Sequence, residues 1–287
     1  MEKYINSFDD TKIYYVHKKN KNPHTLIFIH GIGVNWTVWR KEIDFFSKKG
    51  YSVLAPDLRG HGLSEWPHDE KKYDYLNFTK DIRSIIKKEN IKEFTLIGHS
   101  LGGAISITYC ELFKDMPNSM VLVDTAHRYP FKYNHEFNLN PFIIHVLRFL
   151  SKHEDMRNIH FPHMTENKKE IKNFGKDHKF LFELFYHTPL KCVFKCMDTI
   201  NEHSKKCSKD IEKLLHELDI PVLIITASKD KLIDPKFSNE LHDLIKNSQL
   251  KVINNAHHLV PVEKPDEINK NIWNFLKLNN KNHIKVK

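Results

Sequence analysis

The chain has 287 residues, of which 40% are apolar and 28% charged, with a formal net charge of +9. This balance excludes a disordered or fibrous chain, and the length allows one large α/β domain with an insertion, or two small domains, whose core needs no disulfide staples. The lysines are mixed with acids, as in KKENIKE (87–93), so the positive charge reads as solvated helix faces and no nucleic-acid partner is expected.

The N-terminus, MEKYINSFDD, is acidic and has no apolar core, which argues against a secretory signal. KIYYVHKK (12–19) then reads as a strand, and TLIFIH (25–30) as a strand buried on both faces of a sheet. A helix is expected over VWRKEIDFFSKKG (38–50), ended by Gly50, and YSVLAP (51–56) is the next buried strand. YLNFTKDIRSIIKKENI places Leu76, Ile82, Ile85 and Ile86 at helical spacing, FTLIG (94–98) is another buried strand, LGGAISITYCELF (101–113) a helix, and SMVLVDTA (119–126) a strand. From about His127 to Lys213 the rhythm stops. Apolar residues there cluster at helical spacing, as in PFIIHVLRFL (141–150) and KFLFELFYHTPLKCVFKCM (179–197), and the first of these is too short and too interrupted, by His145 and Arg148, to cross a membrane. Strand and helix then alternate again through PVLIITAS (221–228), PKFSNELHDLIKN (235–247), QLKVINN (249–255) and PDEINKNIWNFLKL (265–278), ahead of a solvated tail.

The expected architecture is therefore an α/β fold with a doubly wound, mostly parallel sheet of about eight strands. Residues 1–126 and 214–287 form its core, and 127–213 an inserted helical cap. Four cysteines, at 110, 192, 196 and 207, suit reduced thiols and a cytoplasmic location. Cys192 and Cys196 can share a helix face and a metal site is conceivable there, but no ligand set accompanies them in the sequence, so buried or idle thiols are expected.

One turn carries the chemistry. Gly98-His99-Ser100-Leu101-Gly102 lies between a buried strand and a helix. In such a turn the central residue is strained and its neighbours two positions away must be small. The Ser100 hydroxyl is left open at a helix N-terminus, where negative charge is favoured. An unassisted serine is a weak nucleophile, so a histidine base and an orienting acid are required, and they should follow later in the chain, acid before histidine. Asp230 sits in the loop after PVLIITAS, with Asp234 as a rival in the same loop and Asp124 as another after SMVLVDTA. Two histidines, His257 and His258, compete in the loop before the last helix.

Taken together these segments resemble the α/β-hydrolase superfamily, and the matching motifs run from about residue 26 to 268. In that family the last loop commonly reads G-H, four residues, then E-x-P. Counting back from Glu263 and Pro265 selects His258 and puts His257 where the family has Gly. The family pattern G-x-x-D falls on Ala227-Ser228-Lys229-Asp230 and selects Asp230. The resemblance thus implies a triad of Ser100, Asp230 and His258. It also implies an oxyanion hole formed by the backbone N–H of Leu101 and of Ile32, the latter from the His30-Gly31-Ile32-Gly33 loop, with His30 bracing that loop. Asp57-Leu58-Arg59-Gly60-His61-Gly62-Leu63-Ser64 resembles a family turn in which Asp57 and Arg59 tie loops together beneath the site. Trp36 and Trp39 are expected either to line the pocket or to pack in the core.

The serine at the turn argues against the dehalogenases and epoxide hydrolases of the family, which use Asp there. Carbon–carbon bond hydrolases often have Asn before the nucleophile and Trp after the histidine, where this chain has His99 and Leu259. Proline iminopeptidases typically carry Trp at the position of Leu101. The resemblance therefore implies a carboxylic-ester hydrolase, with thioesters close behind, acting on a small ester with an apolar acyl part and needing no metal or organic cofactor. HGIGVNWTVWR also resembles a segment of the pimeloyl-carrier-protein methyl esterases, which would make an acidic acyl-carrier protein a partner. A carbon–carbon bond hydrolase and a non-catalytic ligand-binding member of the fold remain the alternatives.

Overall fold

The computed structural model describes residues 1–130, 188 and 190–284. Its centre is an eight-stranded sheet: β1 (Glu2–Asn6), β2 (Lys12–Lys18), β3 (Asn22–Ile29), β4 (Tyr51–Pro56), β5 (Phe94–His99), β6 (Ser119–Val123), β7 (Val222–Ala227) and β8 (Ser248–Ile253). The spatial order is β1-β2-β4-β3-β5-β6-β7-β8. β2 runs antiparallel to both β1 and β4, and every other pairing is parallel. Strand β1 was not among the expected elements. Its residues alternate between exposed and half-buried at the sheet edge, so it shows none of the continuous apolar character that marks the central strands.

The two-residue period of the strands divides their side chains between two cores. Ile27 and Ile29 of β3, Met120 and Leu122 of β6, and Val222 and Ile224 of β7 join one cluster. Leu26 and Phe28, Val121 and Val123, and Leu223 and Ile225 join the other. Helices α2 (Tyr75–Lys88), α3 (Leu101–Leu112) and α4 (Leu190–Glu217) cover the first face. There Phe78, Ile82, Ile85, Ile105, Ile211 and Leu215 are buried. Helix α1 (Arg40–Lys48), the short α6 (Val260–Glu263) and α7 (Pro265–Ile284) cover the second with Ile43, Phe46, Val260, Ile268, Ile272 and Phe275. Helix α5 (Lys236–Leu244) packs beside β7 and β8. Each fully buried side chain of this size contributes about 1.5–3 kcal/mol, and the doubly covered sheet holds the loops at its C-terminal edge in fixed positions.

The segment PFIIHVLRFL and most of the expected cap lie outside the described residues. Most of the described part is α4, which runs unbroken from Leu190 to Glu217. Among the described residues no helix is long and apolar enough to cross a membrane. Helix α7 continues to Ile284, into the stretch expected to be a solvated tail.

Candidate active site

The C-terminal ends of the parallel strands deliver four loops to one place. At the end of β5 the chain reverses into α3, and Ser100 sits in the turn with φ 52° and ψ −118°. A positive φ at a non-glycine residue stores about 1–3 kcal/mol and persists only where its surroundings enforce it. Here the Ser100 N–H donates to Val123 O at 2.9 Å, and its carbonyl accepts from the Thr125 hydroxyl at 2.7 Å. A Cβ on Gly98 would overlap the Gly102 carbonyl, and one on Gly102 would overlap the carbonyl of Ile29, so only glycine lets the strand and helix approach this closely. Leu101 is the first residue of α3, and a helix leaves its first amides without intrahelical acceptors.

The loop after β3 lies against this turn. A Cβ on Gly31 would stand 3.0 Å from the Cβ of Ser100. His30 is buried; its Nδ1–H donates to Gly31 O at 2.7 Å and its Nε2 accepts from Leu58 N–H at 2.9 Å. Burial, followed by the neighbouring His61, holds its pKa well below the ordinary value, so it stays neutral and braces the loop as expected. Ile32 and Leu101 border the same cleft as Ser100.

Asp230 lies in the loop after β7. Its Oδ1 accepts from the amides of Leu232 (2.8 Å) and Ile233 (2.9 Å), and its Oδ2 faces His258 Nδ1 at 2.7 Å. Burial opposes a charged imidazole at His258, but the carboxylate of Asp230, helped by Asp124, outweighs it and raises the pKa above 6.5. The neighbouring His257 points elsewhere: its amide donates to Glu263 at 2.8 Å and its ring lies 3.2 Å from the same carboxylate. The rival acids also have other partners. Asp234 accepts from the Lys236 amide at the start of α5. Asp124, buried and at φ 44°, accepts from the Ala227 amide at 2.7 Å. Burial, then the nearby Asp230, holds the Asp124 carboxyl well above its usual pKa.

His99 is a residue whose part the sequence did not disclose. Its Nε2 lies 2.7 Å from the carbonyl of His258, which can only accept, so this nitrogen carries the proton. The two rings stand 4.8 Å apart, and burial, followed by His258, pushes the His99 pKa down to about 3. His99 is thus a neutral brace on the backbone of His258. The clue in the sequence was an imidazole immediately before Ser100, but its partner lies 159 positions away.

Asp57 and Arg59 do not border the cleft. Asp57 accepts from the amides of Trp36 and Leu63, both at 2.8 Å, and burial raises its pKa to about 7 against those bonds. Arg59 is fully buried, forked onto Asp81 at 2.6 and 2.7 Å and bonded to Asp9 at 2.9 Å. Trp39 is also fully buried, with its ring 5.4 Å from that of Phe28, and Trp36 packs against the same core.

The cleft holds about 990 Å³, including its solvent-filled mouth. Ser100 and His258 both line it. Ile32, Leu101, Ala104 and Ile107 line it together with Met197, Ile200 and Ile211 of α4. Among the described residues, two groups have ligand-type atoms within 4.8 Å of one another: His99 with Asp124 and His258, and Glu111 with His203 and Cys207. In the first group, His99 Nε2 and His258 Nδ1 are already committed to the bonds described above. The Cys192 and Cys196 sulfurs are 3.8 Å apart and buried.

Residues 20–265 match the family described as "Serine aminopeptidase, S33". Protein ABHD8 of Homo sapiens is 26% identical over 254 residues, covering 88% of this chain and 54% of that protein, so the chain spans about half the length of that relative. The "Uncharacterized hydrolase YugF" of Bacillus subtilis is 27% identical over 277 residues, covering 94% of this chain and 96% of that one. Among solved structures, an esterase (EaEST) from Exiguobacterium antarcticum is similar in fold, with a TM-score of 0.74 at 20% identity over 96% of this chain and 100% of that one.

Proposed function

Since the chain belongs to the serine aminopeptidase S33 family of α/β-hydrolases, we propose that it is a serine hydrolase that cleaves carboxylic esters through an acyl-enzyme on Ser100. The observation that carries this reading is the 2.7 Å bond between Asp230 Oδ2 and His258 Nδ1, in a loop cluster that borders the same cleft as the strained Ser100.

In the proposed mechanism His258 Nε2 takes the proton of the Ser100 hydroxyl as Oγ attacks the ester carbonyl carbon. The carbonyl oxygen becomes an oxyanion, held by the N–H groups of Ile32 and Leu101, each worth about 3–4 kcal/mol. Asp230 keeps the imidazole oriented and stabilises its cation. The C–O bond breaks and the alcohol leaves with the proton from His258. Water, deprotonated by His258, then attacks the acyl-enzyme, releasing the acid and restoring Ser100. No step calls on a metal or organic cofactor.

Among the described residues the ionisable side chains that line the cleft are histidines, Arg128 and Tyr75. The apolar side chains of α3 and α4 suit an acyl chain, and residues 127–213, which include most of α4, are proposed as a cap over it. Four free thiols suit a reducing, cytoplasmic setting. Thioesters, and acyl groups delivered on an acidic carrier protein to this +9 chain, extend the substrate range under the same mechanism.

A fluorophosphonate probe should label the wild-type protein and not Ser100→Ala. A screen of p-nitrophenyl esters and acyl thioesters of graded chain length should show turnover by the wild type alone. Labelling of neither protein, with every ester left intact, would overturn the proposal in favour of a ligand-binding member of the fold.

A further inference from the structure

We infer that Glu111, His203 and Cys207 form a binding site for a borderline-soft divalent cation such as Zn²⁺, at the junction where helix α4 docks on α3. His203 and Cys207 are four residues apart on α4 and therefore share one helix face. Glu111 lies near the end of α3 and meets that face, with its Oε2 3.3 Å from His203 Nε2. One ligand atom from each of the three lies within 4.8 Å of the other two. Tetrahedral bonds of about 2.0–2.3 Å place ligand atoms about 3.3–3.8 Å apart, so the Glu111–His203 separation already matches and the sulfur has only a short distance to close. The tilted contact of the His203 ring with Tyr75, 5.0 Å between centroids, holds the imidazole in place.

The donor set narrows the ion. One nitrogen, one sulfur and one carboxylate oxygen suit Zn²⁺ and its analogue Co²⁺, whereas Mg²⁺ and Ca²⁺ require oxygen ligands throughout. All three residues are only partly buried, so an ion reaches them from solvent, and water completes the fourth position. The Cys207 thiol enters as a thiolate, and its proton passes to solvent. An ion bound there ties α4 to α3. His203 also borders the cleft, so occupancy fixes part of the wall beside the bound substrate. The site shares no residue with Ser100, Asp230 or His258, and its existence does not depend on the hydrolytic reading.

The test is a Co²⁺ titration of the reduced, chelator-stripped full-length chain, followed by a Zn²⁺ chase. One equivalent of Co²⁺ should produce a thiolate-to-cobalt charge-transfer band that Zn²⁺ abolishes. Cys207→Ser should fold normally by circular dichroism and lose the band. His203→Ala and the shape-preserving Glu111→Gln should each weaken Co²⁺ binding by at least about tenfold. The double variant Cys192→Ser/Cys196→Ser should retain the band. Absence of the band in wild type, its survival in folded Cys207→Ser, or its loss in a folded Cys192→Ser/Cys196→Ser protein would each overturn the inference.

Discussion

Replacing Asp230 by Asn should cost turnover about four orders of magnitude with little loss of fold, and the bonds around the carboxylate explain why. Oδ1 accepts two backbone N–H groups, from Leu232 and Ile233, while Oδ2 faces His258. An asparagine in the same rotamer must keep its oxygen toward the two amides, since its NH₂ cannot accept from them. The NH₂ then faces His258 Nδ1 and obliges that nitrogen to be the acceptor. The imidazole proton moves to Nε2, and the nitrogen facing Ser100 loses its free lone pair. A triad locked in the wrong tautomer loses about 10⁴ in kcat, or about 5.4 kcal/mol at 1.36 kcal/mol per tenfold. Asp124→Asn is the matched control. The Asp124 carboxyl is held well above its usual pKa and bonds the Ala227 amide through one oxygen, which an amide oxygen replaces. That variant should therefore keep most of the activity. The assay is steady-state hydrolysis of the best p-nitrophenyl ester with folding checked by circular dichroism. Asp230→Asn within tenfold of wild type, or Asp124→Asn as impaired as Asp230→Asn, would refute the assignment of the acid.

Further outcomes follow from the same geometry. Because the His258 pKa is raised above 6.5 and the base must be neutral, kcat/KM should fall on acidification through an apparent pKa above 6.5; a limb centred below that value in the pH–rate profile contradicts it. The sign for stability is opposite: the His258–Asp230 pair contributes fully below 6.5 and its contribution is lost as pH rises through the folded value. Arg59→Ala should lower unfolding free energy by about 3–5 kcal/mol in urea titrations, because it strands the buried Asp81 carboxylate, and a loss under about 1 kcal/mol would show the pair to be dispensable. His257→Ala removes only a contact with Glu263, worth about 0–1 kcal/mol, and should keep turnover that His258→Ala abolishes; the reverse pattern means that the wrong histidine was chosen.

How much of this was legible in the sequence depends on how far each signal had to reach. The strand–turn–helix around Ser100 is local: buried β5, two glycines and the start of α3 lie within a dozen residues, so the pattern carries its own geometry. The central strands were readable because burial on both faces leaves an unbroken apolar run, as in Leu26–Phe28–Ile29 of β3, all fully buried. Edge strand β1 lacks that run and left no such trace. The loop holding His257 and His258 could not separate the two from residues alone; only a family pattern ranked them, and the two rings now lie against different carboxylates. His99 and Arg59 were less readable still. Each acts through partners far along the chain, His258 for one, Asp9 and Asp81 for the other, which no local period encodes. The Glu111–His203–Cys207 cluster was hidden for the same reason, since Glu111 on α3 lies far along the chain from the two residues on α4.

The most direct measurement of the proposed chemistry is a rapid-mixing experiment with a p-nitrophenyl ester, in which released nitrophenol and covalently bound acyl group are counted together. A burst of nitrophenol equal to the enzyme concentration, matched by one acyl group mapped by mass spectrometry to Ser100, is the expected result. Turnover with no acylated serine, or with the acyl group on another residue, would contradict it.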